Sequence, residues 1–250
     1  MAWLLEAAAN GVPAAPPAHE PPGSSPSRSP PLPLLLSSPY LNPPAEYVER
    51  LLLPRAPSPH ATAGGPPLAP MLLSAAPSAS SFWGAGGLKG LIPHVYAGLE
   101  ESLRAAAHRC DAPITVLHYA RPGWTYHAKG LWLWPPQGRP AAAETSSVST
   151  EEETAAIGMV AAREASDGDS SEHPLLSVLG SSNLSERSTR RDVELSACLV
   201  ATDVGVRRQL HEEQARLREH ARAAPETSTD GRAAAAAVAR ALATFIRRFF

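Results

Sequence analysis

The sequence predicts an α/β fold in which helices flank a mixed β-sheet. Short apolar runs alternate with segments whose apolar residues recur at helical spacing, and this alternation is typical of layered α/β structures. Hydrophobic side chains make up 44% of the 250 residues, which is enough for a core. Of the 27 prolines, 19 fall within the first 80 residues, so we expect part of the chain to lack regular structure.

The composition divides the chain into three parts. Residues 1–31 form a Pro/Ala-rich tail that we expect to be disordered, because it carries too little apolar surface to offset the entropy of ordering. Residues 32–222 form the predicted domain, interrupted at 136–173 by an acidic insertion without periodicity, which we expect to be a disordered loop. Residues 223–250 comprise a linker and an amphipathic C-terminal helix.

Strands and helices alternate through the predicted domain. Apolar runs rich in branched or aromatic residues indicate the strands, and helical spacing indicates the helices. The expected strands are 32–37, 71–74, 114–119, 124–134, 175–180 and 193–200, and the expected helices are 45–53, about 93–107 and 206–222. Three tryptophans in the fourth strand, Trp124, Trp132 and Trp134, are expected to pack rather than to contact lipid.

His127 and Lys129 are the first candidates for chemistry. Side chains alternate across a strand, so residues two apart project from the same face. A histidine can accept or donate a proton near neutral pH, and a lysine supplies a compact positive charge for a phosphate oxygen. Only two of the 22 basic residues are lysines, Lys89 and Lys129, which indicates a chemical need for the second one.

Two further elements add donors and carboxylates. The Gly180-Ser-Ser-Asn183 turn follows an apolar strand and offers hydroxyl, amide and backbone donors to an oxyanion. Asp192 and Glu194 form a same-face pair on a predicted strand. A carboxylate near an imidazole fixes its tautomer and stabilises the imidazolium. Together these residues provide acid/base, cationic, oxyanion-binding and orienting groups.

The order His-x-Lys, Gly-Ser-x-Asn, and a glutamate eleven residues after the asparagine resembles the HKD half-motif of the phospholipase D superfamily. The segments 124–132, 180–183 and 187–194 are similar to the second motif, in the C-terminal half, of eukaryotic phosphatidylglycerophosphate synthases. Upstream, 36–42, 76–82 and 92–96 are similar to that family's intervening segments. The resemblance covers residues 32–222 and the last helix.

This resemblance implies a single phospholipase D-like half domain that transfers a phosphatidyl group from CDP-diacylglycerol to glycerol 3-phosphate. The implied reaction passes through a phosphohistidine and serves phospholipid and cardiolipin biosynthesis. The resemblance also implies that it needs no cofactor and no metal. The implied catalytic residues are His127, Lys129, Asn183 and Glu194, and the implied substrate-binding residues are Ser181, Ser182, Arg187 and Asp192. In this scheme His127 is the general acid for the CMP oxygen and later the base for the incoming hydroxyl, and Glu194 orients it. The reverse assignment, with His127 as nucleophile, stays open.

The chain departs from the family pattern in two ways. Trp134 stands where the superfamily has an aspartate, five residues after the lysine. Of the nine histidines only His127 is followed by x-Lys, whereas the family's chemistry uses two such histidines. We therefore expect a missing N-terminal half or a second copy to supply the other histidine. The alternatives are a homodimeric single-motif phosphodiesterase and an inactive half that acts as a lipid-binding partner.

Partners and location follow mainly from the resemblance. It implies CDP-diacylglycerol and glycerol 3-phosphate as substrates, a peripheral contact with a membrane surface, and the mitochondrial inner membrane as the location. The net charge of -2 gives no general field for nucleic acid, so no nucleic-acid partner is expected. Residues 1–27 contain no basic residue and show no presequence, as expected of a chain that lacks its true start.

Overall fold

The computed structural model describes residues 32–52, 68–112, 114–135 and 172–225. The predicted N-terminal tail, the insertion apart from its last two residues, and the C-terminal helix lie outside the described residues. The elements in order are β1 (Leu32–Ser37), α1 (Ala45–Leu52), β2 (Leu68–Ala75), α2 (Ile92–Arg109), β3 (Thr115–Tyr119), β4 (Gly130–Leu133), β5 (Leu176–Gly180), α3 (Glu186–Arg190), β6 (Ser196–Val200), α4 (Val204–Glu219) and β7 (Ala221–Ala223). None of the helices in these ranges is long and apolar enough to cross a membrane.

The strands form one mixed seven-stranded sheet in the order β6-β5-β4-β1-β2-β3-β7. β1, β2 and β3 are parallel and are joined through α1 and α2. β4 pairs antiparallel with β1, β5 and β6 continue the sheet antiparallel, and β7 pairs antiparallel with β3. The α/β fold with a mixed sheet flanked by helices is therefore confirmed.

The sheet has a hydrophobic core on each face. On one face Leu34 of β1 packs in the same cluster as Tyr47 of α1 and residues of α2. On the other face Leu35 and Trp132 pack with Leu210 of α4. Neighbouring residues of a strand point to opposite faces, so the unbroken Leu34-Leu-Leu36 run is what a strand buried on both sides requires.

Two predicted strands are shorter than expected, and both differences affect the site. Residues 124–129 are not part of β4, because Gly130 pairs with Ser37, the last residue of β1, and the backbone before it has no neighbouring strand. Similarly β6 begins at Ser196, opposite Gly180, where β5 ends. His127 and Lys129 therefore lie just before β4, and Asp192 and Glu194 lie just before β6, whereas both pairs were predicted to lie on the strands.

The helix predicted at 206–222 is also shifted. It begins two residues early, because Asp203 caps it by accepting a hydrogen bond from the Val206 backbone N–H at 2.9 Å. It ends at Glu219, and the Ala221-Arg-Ala223 segment pairs with β3 as an edge strand. Nothing in the composition of these three residues indicates a strand, and the predicted helix included the first two of them.

The three tryptophans differ in burial. Trp132 is 1% exposed in the core, as expected. Trp134 is half-buried, and its indole N–H donates to the carbonyl of Glu172 at 3.0 Å. Trp124 is 55% exposed, so the packing interpretation was wrong for this residue, which precedes β4 in a segment without a neighbouring strand.

Candidate active site

The candidate residues gather at one edge of the sheet, where β1 and β5 end and β4 and β6 begin. Ser37 pairs with Gly130, which in turn pairs with Leu179. His127 and Lys129 directly precede this point, and the turn at residues 181–183 directly follows β5. Because adjacent antiparallel strands begin and end at the same edge, these separate parts of the sequence are brought together.

The side chains of His127 and Lys129 meet. The Lys129 ammonium nitrogen lies 3.2 Å from Nδ1 and 3.4 Å from Nε2 of the imidazole, and it donates to the His127 carbonyl oxygen at 3.1 Å. Partial desolvation lowers the pKa of His127 below its ordinary 6.5, and the Lys129 charge lowers it further. The neutral imidazole is therefore favoured at neutral pH.

Lys129 is half-buried and responds to a carboxylate across the edge. Desolvation lowers the pKa of Lys129, while the negative charge of Glu194 acts in the opposite direction. Glu194 is thus electrostatically linked to the histidine–lysine pair although it comes from a distant part of the sequence.

Ser181 connects the turn after β5 to the segment before β6. Its hydroxyl donates to the Glu194 carboxylate and accepts from the Leu195 backbone N–H at 3.1 Å, while its own N–H donates to the Leu195 carbonyl at 3.0 Å. In this conformation the Glu194 carboxylate accepts a hydrogen bond from Ser181, whereas the family resemblance implies that this carboxylate orients His127.

The rest of the turn is fixed by its backbone. The Asn183 N–H donates to Ser188 Oγ at 3.2 Å, and the Leu184 N–H donates to Ser38 Oγ, beyond the end of β1, at 3.0 Å. The Ser182 hydroxyl donates to the Asn183 carbonyl at 3.3 Å. The Asn183 side-chain oxygen is buried and has no hydrogen-bond partner. This oxygen is an acceptor, so it can bind only a ligand group that donates a hydrogen bond.

Arg187 and Asp192 pair with each other. Arg187 Nε donates to Asp192 Oδ1 at 3.0 Å, and both side chains are partly exposed. The Arg187 charge also reaches Tyr96, where it opposes the burial that raises the pKa of that phenol to about 12. The guanidinium therefore lies close to the aromatic residues beside His127.

Those aromatic residues were not among the predicted site residues. The Tyr40 ring meets the His127 ring edge-on at a centroid distance of 6.3 Å, and it lies 4.8 Å from the Tyr96 ring and 6.1 Å from the Phe82 ring. A signal was present in the sequence, because the three residues belong to the segments 36–42, 92–96 and 76–82 that carry the family resemblance. The His-x-Lys and Gly-Ser-x-Asn motifs do not include these segments, so the motifs alone did not place them at the site.

Tyr126 holds the segment that bears the histidine. Its hydroxyl lies 2.6 Å from Ser37 Oγ, and Ser37 donates its one hydrogen to the Ala128 carbonyl at 3.0 Å, so the phenol is the donor of the short bond. Burial raises the pKa of Tyr126 to about 12, which keeps the phenol protonated. The buried bonds on either side of His127 position it although it lies outside the strand.

Positive charge at this edge comes from lysine and arginine side chains. Within the described ranges no three His, Cys, Asp or Glu side chains gather as potential metal ligands.

Comparisons with known proteins agree with the family resemblance. No family model matches the chain. The mitochondrial CDP-diacylglycerol–glycerol-3-phosphate 3-phosphatidyltransferase of Gallus gallus is 30% identical over 149 residues, which are 58% of this chain and 21% of the relative. The Homo sapiens enzyme of the same name is 29% identical over 148 residues, again 58% of this chain and 21% of the relative.

A more distant relative extends the aligned region of sequence. A probable enzyme of the same name from Dictyostelium discoideum is 25% identical over 181 residues, or 72% of this chain and 23% of the relative. The phosphatidylserine synthase of Haemophilus influenzae superposes with a TM-score of 0.47 and 16% identity, covering 77% of this chain and 33% of the other. The chain spans about a fifth of the length of the curated relatives it matches. Over more than half of its own length, this chain is similar in sequence to CDP-diacylglycerol–glycerol-3-phosphate 3-phosphatidyltransferases.

Proposed function

We propose that the chain supplies one half-site of a phosphatidyltransferase that makes phosphatidylglycerophosphate from CDP-diacylglycerol and glycerol 3-phosphate. The observation that carries this proposal is the contact of His127 with Lys129 at the sheet edge that also bears Ser181 and Glu194. The reaction and both substrates are those for which the similar enzymes are named.

The proposed reaction has two displacements at the phosphatidyl phosphorus. First, a histidine nitrogen attacks the phosphorus, the bond to the CMP oxygen breaks, and a second histidine gives its proton to that oxygen. Then the hydroxyl of glycerol 3-phosphate attacks, its proton passes to the same second histidine, and the phosphorus–nitrogen bond breaks. In this scheme His127 is the acid and then the base, and the nucleophile comes from another His-x-Lys segment.

The substrate supplies the charge that this role requires. In the chain alone the pKa of His127 is lowered, which disfavours the acid form. A diphosphate bound beside the ring raises the pKa again, because a nearby negative charge stabilises the imidazolium. Lys129 and the amide N–H groups of Asn183 donate to the phosphate oxygens. The hydroxyls of Ser181 and Ser182 also donate to them after turning away from Glu194 and from the Asn183 carbonyl. Arg187 adds a further cation for the phosphate. The resemblance implies that Asp192 also binds substrate, but a carboxylate repels phosphate, so we assign Asp192 to holding Arg187 in place.

The test is CMP release from CDP-diacylglycerol by the full chain, with and without glycerol 3-phosphate, over a range of protein concentrations. We expect His127→Ala to lower any release by about 100-fold or more, the range typical of a lost acid–base group. His108→Ala is the matched control, because it removes an exposed histidine at the far end of α2. A phosphohistidine trapped on His127 would give it the nucleophile role.

Two results would contradict the proposal. One is CMP release that survives His127→Ala. The other is no release at any concentration together with no response of the His127 NMR signal to added CDP-diacylglycerol in detergent. The second result would favour a half domain that has lost the site and acts as a lipid-binding partner.

A homodimeric phosphodiesterase is the second candidate, and a surface next to the site favours it. β6 is the edge strand of the described sheet, and Val193, Leu195 and Leu199 are 103%, 82% and 46% exposed. An apolar edge of this kind commonly pairs with another chain. In this candidate a second copy that packs on this edge supplies the second His-x-Lys segment.

Light scattering distinguishes the two candidates. A dimer whose activity grows with the square of protein concentration, and which Leu199→Arg converts to an inactive monomer, supports the phosphodiesterase. A monomer at all concentrations excludes it and leaves a half-site that needs other sequence for its second histidine.

The relatives' names also support a location. Because the Gallus gallus and Homo sapiens enzymes are named mitochondrial, we propose a mitochondrial location, peripheral to the inner membrane where the lipid substrate resides. Carbonate extraction of purified mitochondria tests it, since a peripheral protein is released and a spanning one is retained.

A further inference from the structure

Four large apolar side chains are exposed on two loops near the candidate site. Trp83, Leu88 and Leu91 in the loop between β2 and α2 are 54%, 79% and 42% exposed, and Trp124 before β4 is 55% exposed. We call these four residues the apolar rim. Single exposed apolar residues are common in soluble proteins, but a group containing two tryptophans indicates a binding surface.

Backbone and ring contacts join the rim to the site. The Tyr126 N–H donates to the Ala79 carbonyl at 2.9 Å, which ties the segment of Trp124 to the start of the Trp83 loop. Phe82, next to Trp83, contacts the Tyr40 ring, and that ring meets His127. The rim therefore lies beside the end of the sheet that carries the proposed chemistry.

The two segments of sequence that carry the rim contain basic side chains but no acidic ones. Residues 76–98 and 112–135 contain no aspartate or glutamate, although the chain as a whole has 24. Lys89 is exposed between Leu88 and Leu91, and the Arg121 guanidinium lies 4.1 Å from the centre of the Trp124 ring. Cations next to exposed tryptophans complement an anionic surface that has an apolar interior.

A bilayer interface has both of these properties. Tryptophan prefers the headgroup level of a membrane because its ring is apolar and its N–H is polar, and lysine extends its ammonium to the phosphates. We propose that the apolar rim inserts into the headgroup region of a bilayer that contains anionic phospholipid. This inference rests on the proposed function only for its purpose, which is to place His127 at the level of a lipid diphosphate.

The experiment places a fluorescent probe on the rim of the full chain. In a Cys110→Ser, Cys198→Ser background, which removes the two exposed cysteines, Leu88→Cys carries an environment-sensitive nitrobenzoxadiazole label. Vesicles are made of phosphatidylcholine with about a third anionic phosphatidylglycerol, with and without lipids brominated on the acyl chain. We expect the label to brighten on binding and to be quenched by the brominated lipid.

Matched variants separate the rim from other contacts. A label at Leu199→Cys, an exposed apolar position on β6, should stay in water when vesicles are added. Trp83→Ser with Trp124→Ser should weaken vesicle binding about tenfold or more, because each substitution removes a large apolar side chain from the interface. Neither measurement depends on turnover, so a chain inactive in CMP release can still confirm the rim.

Three outcomes would overturn the inference. The first is a label at residue 88 that is unquenched on vesicle-bound protein, which would assign binding to another segment. The second is a double tryptophan variant that binds as tightly as the parent chain. The third is a label that becomes buried without lipid as protein concentration rises, which would make the rim a protein contact.

Discussion

Lys129 acts on His127 through a short contact that the residue spacing suggested and the structure defines. The ammonium nitrogen lies 3.2 Å from Nδ1, close enough for its charge to disfavour a second cation on the ring. Both groups are moderately desolvated, and the pKa of each is lowered. In the proposed function this pair binds a phosphate group, and the lowered pKa keeps the histidine neutral until that anion binds.

Removing the lysine charge should raise the pKa of His127. In Lys129→Gln we expect its NMR titration midpoint to move upward toward the ordinary value of 6.5, because the protonated ring no longer faces a cation. Desolvation remains, so the midpoint should stay somewhat below that value. Lys89→Gln, which removes the only other lysine from an exposed loop position, should leave the midpoint unchanged.

Lys129→Gln also predicts how the pH at which His127 becomes protonated will move. Protonation of His127 in the free chain moves from below pH 6.5 in the parent toward pH 6.5 in Lys129→Gln. Added inorganic phosphate should raise the midpoint in the parent more than in the variant, since Lys129 helps to hold the anion. A downward movement in Lys129→Gln would contradict the proposed electrostatic coupling.

At the scale of elements, the turn after β5 depends on a close approach that only glycine permits. A Cβ on Gly180 would lie 2.4 Å from the Leu195 carbonyl oxygen and 2.5 Å from Ser196 Oγ. Leu195 and Ser196 directly follow Glu194, and Ser181 directly follows Gly180. A side chain at residue 180 that pushed these backbones apart would therefore also move Ser181 away from the Glu194 carboxylate.

Gly180→Ala should therefore destabilise both the fold and the site. We expect a loss of about 1–3 kcal/mol in the free energy of unfolding, typical of overpacking against backbone, measured by urea denaturation. Gly86→Ala is the matched control, because a Cβ there meets nothing within 4 Å and the backbone is extended. Equal stabilities of the two variants would show that the β5–β6 edge relaxes without cost.

Sequence patterns predicted the elements better than their ends. The buried strands were found because Leu-rich runs such as 32–37 are long enough to identify, and the resulting mixed sheet is confirmed. The ends of β4 and β6 were wrong because a strand stops where its neighbour stops, which is a property of pairing and not of local sequence. β7 was missed for the same reason, since its only signal is its pairing with β3.

The candidate site shows the same limit. Chemistry-bearing residue types at short spacing, such as His127 with Lys129, were identifiable because two residues suffice to define the group. Tyr40, Tyr96 and Phe82 were not, because they come from the segment after β1, from α2 and from the segment after β2, and only the fold brings these segments together.

At the scale of the whole molecule, a buried carboxylate joins the parallel strands to the helix that crosses between them. Glu100 of α2 is 4% exposed and receives hydrogen bonds from Arg104 at 2.9 Å and from Ser74 of β2 at 3.2 Å. His118 Nε2 of β3 lies 2.8 Å from the same carboxylate. One side chain thus connects three elements on one side of the sheet.

Such a connection is costly to break from one side. Glu100→Ala leaves Arg104 and His118 without their shared acceptor, so we expect a loss of about 2 kcal/mol or more in the free energy of unfolding. Glu49→Ala, which removes an exposed carboxylate from α1, should change stability by less than about 0.5 kcal/mol. Because Tyr96 lies one turn before Glu100 and contacts Tyr40 beside His127, the His127 NMR signal should shift in Glu100→Ala as well. A destabilised variant with an unchanged His127 signal would show that the sheet edge holds its geometry independently of how α2 is anchored.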